Sequence, residues 1–162
     1  MPNWNPSTLE PMLREATLED TPALVEMMEE FYVESNYSLD HSEATAAFQT
    51  LCQQPQYGVI WLAYDGTEVV GYVILTIRFA MEFGGLDGSI DDLYIRPSAR
   101  RKGFASKLLQ SLIIECDDRD LKALHVEVSP DNEAAQVLYQ NFGLQKRTGD
   151  RDHLSLLLKA EF

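Results

Sequence analysis

Apolar residues recur at helical spacing in four stretches of the chain, and β-branched and aromatic residues cluster in the segments between them. Leu24, Met27, Met28 and Phe31 stand at i, i+3, i+4 and i+7 behind Asp20, Thr21 and Pro22, a capping residue with proline in the first turn, so a helix begins there. A second helix starts near Ser42, with Ala44, Ala47, Phe48 and Leu51 inward, and the stretch from Gln53 to Tyr57 with Pro55 ends it. Val33 to Asp40 reads as the loop between them. Met12 to Thr17 reads as a short strand. Gly58 to Tyr64 and Glu68 to Phe79 flank Asp65-Gly66 and predict a β-hairpin.

Gly84, Gly85 and Gly88 read as the next turn, with Ser89 to Ile95 as the strand that follows it. Arg100 to Cys116 then carries Ala105, Leu108, Leu109, Leu112, Ile113 and Cys116 on one helical face and leads into a strand over Ala123 to Val128. A strand, a helix and a strand imply a parallel crossover. A last helix covers Asp131 to Phe142, stopped by Gly143, before strands over Leu144 to Thr148 and His153 to Leu158. No repeat or linker interrupts this order. It predicts one mixed α/β domain over residues 1–162, with its core at about 11–159.

Length and composition agree with a globular chain: 162 residues, 45% hydrophobic and 24% charged. No apolar run reaches the roughly 18 residues of a membrane span, and Met1 to Glu10 lacks the order of a signal peptide, so a cytoplasmic protein without membrane contact is expected. Cys52 and Cys116 stand far apart with no second metal-ligand pattern near them, and are expected to be buried thiols. No metal is expected.

The net charge of −13 is unevenly spread: residues 1–77 hold one cation, Arg14, whereas Arg96, Arg100, Arg101, Lys102 and Lys107 fall close together. An acidic body repels nucleic acid and suits a cationic ligand, and a basic patch suits a phosphate. The patch sits in Asp91-Asp92-Leu93-Tyr94-Ile95-Arg96-Pro97-Ser98-Ala99-Arg100-Arg101-Lys102-Gly103-Phe104-Ala105. There a strand gives way to a basic turn and then to a helix opening on small residues. Such a helix start aims free N–H groups and a positive dipole end at one spot, which is anion-binding geometry. Neither a GxxxxGK[ST] loop nor a GxGxxG fingerprint is present.

With Arg100, Gly103 and Ala105 matching Arg or Gln-x-x-Gly-x-Gly or Ala, the chain resembles the GNAT superfamily of N-acetyltransferases. The likeness runs from LREATLEDTPAL near the start to NEAAQVLYQNFGL near the end; Arg101, where many members carry Gly, and Ala105, where Gly is commoner, are its departures. The resemblance implies a GNAT-like fold, in which antiparallel strands are followed by a parallel pair that splays apart to admit acetyl-CoA. It also implies that the backbone near Leu93, Tyr94 and Ile95 holds the acetyl and pantetheine groups, and that Arg100, Arg101, Lys102, Gly103, Phe104, Ala105 and Ser106 hold the pyrophosphate. Asn132 matches a position that contacts the cofactor, although an asparagine there is equally a helix cap. A homodimer paired through the late strands is a further implication.

Transfer to an amine needs a group that accepts a proton from an ammonium of pKa about 10 and one that supplies a proton to a thiolate of pKa about 8.5. Resemblance makes Tyr139 the acid, with core packing as the competing reason for it. Asp91 and Asp92 are adjacent on the strand that would present the acetyl group, so alternation sends them to opposite faces. The likeness of the pair to the Glu-Asp of the diamine acetyltransferase branch favours Asp91 as base, with Asp92 facing the substrate; Glu82 competes as base or ammonium anchor. Tyr32, Glu34 and Tyr37 in the first connecting loop suit an ammonium through cation-π and charge contacts. The expected function is acetyl transfer to a small cationic amine. A non-catalytic acyl-CoA-binding module and a protein N-terminal or lysine acetyltransferase are the alternatives.

Overall fold

Arg14 reaches across to Asp20 with two short hydrogen bonds, 2.7 and 2.8 Å, and Asp20 in turn accepts from the Thr17 backbone at 2.7 Å. These contacts tie the first strand to the first helix in the computed structural model, which describes residues 12–146 and 153–157. The chain runs through β1 (Met12–Glu15), α1 (Thr21–Glu34), α2 (His41–Gln53), β2 (Gly58–Asp65), β3 (Glu68–Ala80) and β4 (Gly85–Ile95). It continues through α3 (Phe104–Asp118), β5 (Ala123–Glu127), α4 (Glu133–Asn141), β6 (Gln145–Lys146) and β7 (His153–Leu157). Residues 147–148 and 158, assigned to strands above, lie outside the described residues.

The strands form one sheet in the order β1-β2-β3-β4-β5-β7-β6. The first four pair antiparallel, β5 lies parallel to β4, and the last pairings are again antiparallel. This is the predicted mixed α/β architecture. Alternation along β3 builds two cores: Val73 and Leu75 pack with Leu108, Leu109 and Leu112 of α3, while Tyr72 and Ile74 pack with Leu24, Met27 and Phe48 of α1 and α2. Cys116 is fully buried, which pushes its thiol up to about 12, but Cys52 is only half-buried. Among the described residues, no helix is long and apolar enough to cross a membrane.

Several element ends, those of α4, β5 and β6 among them, shift by one or two residues from the pattern-based reading, and three further boundaries differ. α1 runs to Glu34, so the loop begins later than Val33. β4 begins at Gly85, not Ser89, because Gly85 and Gly88 are strand residues placed for close packing: a Cβ on Gly88 would lie 2.7 Å from Leu75 Cδ1. α3 begins at Phe104, not Arg100, because Arg101 (φ 62°) and Gly103 (φ 86°) both take the left-handed conformation and keep the intervening turn out of the helix.

Candidate active site

Parallel pairing between β4 and β5 is confined to Gly88–Leu124, Ser89–His125 and Ile90–Val126. Beyond it β4 keeps its partner β3, from Asp92 opposite Ile74 to Ile95 opposite Gly71, but its other edge has no strand partner among the described residues. Gln136 of α4 donates to the carbonyls of Ser129 and Pro130 in the chain that follows β5, at 3.1 and 3.0 Å. A cavity of about 610 Å³ occupies the gap. Asp91 to Ile95 form one wall, Val126 to Ser129 the other, and Arg100, Arg101 and Gly103 to Ser106 one end. Unpaired strand edge and helix start are both rows of polar backbone groups that require partners.

The basic turn is less free than its composition implies. Arg100 donates from Nη2 to both carboxylate oxygens of Glu34 at 2.8 Å and from Nε to the Ile95 carbonyl at 2.8 Å, with its guanidinium 5.6 Å from the Tyr94 ring centre. Glu34 is therefore committed to Arg100 and is not an open ammonium anchor. Lys102 does not line the cavity; its Nζ stands 3.7 Å from Asp65. Among the described residues, Arg101 is the one member of this triplet without an ion pair, and it lines the cavity. Asn132 also lines it and caps α4 by accepting from the Ala135 N–H at 3.1 Å.

Tyr139 is 5% exposed and lines the same cavity. Its hydroxyl makes no hydrogen bond among the described residues, and burial, with the charge of Asp92, raises its pKa well above the ordinary phenol. It keeps its proton at neutral pH and is a donor in search of an acceptor.

The two aspartates do not obey simple alternation. Ile74 pairs with Asp92 and Leu75 with Ile90, so Asp91 is the extra residue of a β-bulge. Asp91 and Asp92 both line the first cavity and a second of about 400 Å³ beneath α1 and α2. Their surroundings differ. Asp91 is exposed and lies 3.4 Å from the Thr76 hydroxyl. Asp92 is half-buried, and this desolvation raises its carboxyl from the ordinary 3.8 to about 6 even though the Tyr72 hydroxyl, donating to Oδ2 at 3.1 Å, favours the charged form. The negative charge of Asp91 adds to the rise.

Of the other residues assigned to the acceptor, Tyr32 lines the second cavity, and burial, with the charges of Asp92 and Asp91, raises its pKa. Tyr37 is 70% exposed, packs edge-on against Tyr32 and lines neither cavity. Glu82 sits in the β3–β4 turn, away from both. Sequence reasoning missed Tyr72, which reads as one more inward strand residue, and the lining supplied by Met28, Leu51 and Tyr57. Tyr72 and Asp92 lie on the adjacent strands β3 and β4, and the pairing of Tyr72 with Tyr94 and of Ile74 with Asp92, which no local pattern announces, brings them together.

A model of the Acetyltransferase (GNAT) family matches residues 22–144. The chain belongs to the GNAT family. It is an acyltransferase, and the family's acyl donor is acetyl-CoA. A solved integron cassette protein from the Cole Harbour salt marsh metagenome is 40% identical, with a TM-score of 0.78 over 85% of this chain and 86% of that one. A Bacillus subtilis (strain 168) protein named as a candidate [ribosomal protein bS18]-alanine N-acetyltransferase is 27% identical over 131 residues, 77% of this chain and 82% of its own. The GNAT fold recurs in a Clostridium acetobutylicum protein described as a predicted acetyltransferase and solved with acetyl-CoA, at 18% identity, a TM-score of 0.75, and coverage of 87% and 94%.

Proposed function

We propose that this chain is a cytoplasmic enzyme that transfers an acetyl group from acetyl-CoA to a small cationic primary amine by direct attack on the thioester. One observation carries the reading: Asp92, whose carboxyl has a pKa of about 6, lines both cavities. A thioester in the first and an amine in the second would meet at this residue. The first cavity fits acetyl-CoA on its own terms. The unpaired β4 edge offers N–H and C=O groups to an amide-bearing arm. The first turn of α3, behind Gly103 in its left-handed cap, offers N–H groups to a pyrophosphate, and Arg101 adds charge.

Acetyl-CoA supplies the activated acyl group. Asp92, ionised at pH 7, accepts the proton lost by the amine, directly or through a water, as the nitrogen bonds to the acyl carbon and the carbon–sulfur bond breaks. Asp92 takes this role in preference to Asp91 because it is half-buried, bonded to Tyr72 and tuned towards neutral pH; Asp91, exposed beside it, supplies negative charge for the ammonium. Glu82 has no part in the reading. Tyr139, held protonated, donates to the departing sulfur. Neither cysteine is required, since no covalent enzyme intermediate forms.

The test is thiol release from acetyl-CoA with a panel of primary amines, for the wild-type chain and for Asp92→Asn. Amine-dependent release that falls about 100-fold or more in the variant supports the proposal. Release that is indifferent to the amine, or unchanged in Asp92→Asn, overturns it. Pairing of two copies through β6 and β7 belongs to the same reading, from family resemblance, and sedimentation velocity tests it.

A further inference from the structure

The second cavity has an unequal lining. Its carboxylates are Asp91 and Asp92, adjacent in sequence at the bulge. The rest is mainly apolar: Met28, Phe48, Leu51 and Ile74, with the rings of Tyr32 and Tyr57. Its hydroxyl groups are few, and those of the threonines are engaged: Thr50 donates to the Ala46 carbonyl at 2.8 Å, and Thr76 lies 3.5 Å from the Ser89 carbonyl and 3.4 Å from Asp91. The two acidic groups that would lengthen the charged strip lie elsewhere, Glu34 paired with Arg100 and Glu82 in the β3–β4 turn.

A ligand that fits this lining has one ammonium and an apolar body. A polyamine would place its second and third charges against Met28, Phe48 and Leu51 with no carboxylate beside them, which is costly. A polyhydroxylated aminoglycoside or a peptide N-terminus would bring more hydroxyl and amide groups than the hydroxyls of Tyr32 and Tyr57, the two in this lining not already engaged among the described residues, can pair. A volume of about 400 Å³ lies within the range of small-molecule sites. Resting on the acyl-transfer reading above, we infer that the acceptor is a primary monoamine with an apolar body about the size of an aromatic ring, its nitrogen at Asp91 and Asp92 and its body against Phe48, Met28 and Leu51.

The experiment compares kcat/KM of the full chain, at saturating acetyl-CoA, for 2-phenylethylamine, hexylamine, spermidine, kanamycin and an alanine-initiated peptide. The expected order puts the two apolar monoamines about 100-fold or more above the other three. A preference for spermidine, kanamycin or the peptide overturns the substrate class while leaving acyl transfer standing. No turnover of any amine, with acetyl-CoA shown by calorimetry to bind, overturns acyl transfer and the substrate class together. Two variants of α2 probe the wall. Leu51→Glu adds a carboxylate and is expected to move the ratio of phenylethylamine to spermidine turnover at least about 10-fold towards spermidine. Ala47→Phe, at an exposed helix position lining the cavity, keeps the fold accessible if Leu51→Glu does not. It is expected to raise KM for phenylethylamine about 10-fold with KM for acetyl-CoA little moved. Ratios and KM values that stay at wild-type level in the folded variants overturn the placement of the apolar body.

Discussion

The hydroxyl of Tyr72 donates to Oδ2 of Asp92 across 3.1 Å, from a residue with no solvent exposure. Two opposed influences meet at that contact. Burial of Asp92 disfavours its charge, and the hydrogen bond favours it; burial is the larger, so the carboxyl stays near 6. In the proposed reaction that balance suits a base, mostly ionised at neutral pH yet not so acidic that it is inert.

Replacing Asp92 by Asn should separate stability from activity. A carboxyl whose folded pKa is about 6, against an ordinary 3.8, binds more protons folded than unfolded between those values. Its contribution to stability is therefore lost as pH rises through that window, and above it the ionised group costs roughly 2–3 kcal/mol. Asp92→Asn should melt close to the wild type near pH 4 and above it at pH 7.5, while kcat/KM drops about 100-fold or more. Calorimetric melting at the two pH values, with a rate assay, checks both halves; a variant that melts lower at pH 7.5 contradicts the stated burial cost.

Tyr72→Phe removes the donor and leaves the burial. The Asp92 pKa should rise above about 6, and the acid limb of the kcat/KM profile should move to higher pH by up to about one unit. A pH–rate profile reads this directly. A limb that stays in place would mean that some other group sets it.

Much of this was legible in the chain because the informative patterns are local. The helix start with proline at Thr21-Pro22, the Asp65-Gly66 hairpin and the basic turn before Gly103 each act through neighbours in sequence and appear where expected, although the Asp20 carboxylate binds Arg14 and Thr17 and does not cap α1. The basic turn pointed by itself to an anion, and acyl transfer followed from the resemblance of Arg100, Gly103 and Ala105 to the GNAT motif. What stayed hidden depends on register and on distant partners. The bulge at Asp91 arises from pairing with β3 and breaks strict alternation where both aspartates line the same cavities. Arg100 and Glu34 are 66 residues apart, so nothing in the spacing announces that they neutralise each other. Gly85 and Gly88 mark a turn by composition, but they serve close contacts with Lys122, Leu75 and Leu121 within the sheet.

Tyr139→Phe keeps the ring packing and deletes the donor. Because the phenol is raised by burial and stays protonated, the loss should appear in kcat, about 100-fold, with little change in KM for either substrate. Steady-state kinetics over both substrates distinguishes this from a packing role, which would lower the melting temperature and leave kcat nearly intact.

Arg101 holds a left-handed backbone (φ 62°) that an arginine adopts at a cost of roughly 1 kcal/mol, in a turn where many family members carry glycine. The strain is tolerated if the guanidinium contributes to binding, since among the described residues it has no ion pair and it lines the first cavity. Arg101→Gly should then leave thermal stability equal or higher by about 0.5–1 kcal/mol, because glycine relieves the strain but adds freedom to the unfolded chain. The same change should raise the dissociation constant for acetyl-CoA and flatten its dependence on salt, since one charge contact to phosphate is gone. Arg101→Lys retains the charge and the strained backbone, so it should bind nearly as the wild type does and be no more stable. Titration calorimetry at two salt concentrations, beside thermal melts, compares all three proteins. Equal affinity and equal salt dependence throughout would assign the pyrophosphate to the N–H groups of the α3 start alone.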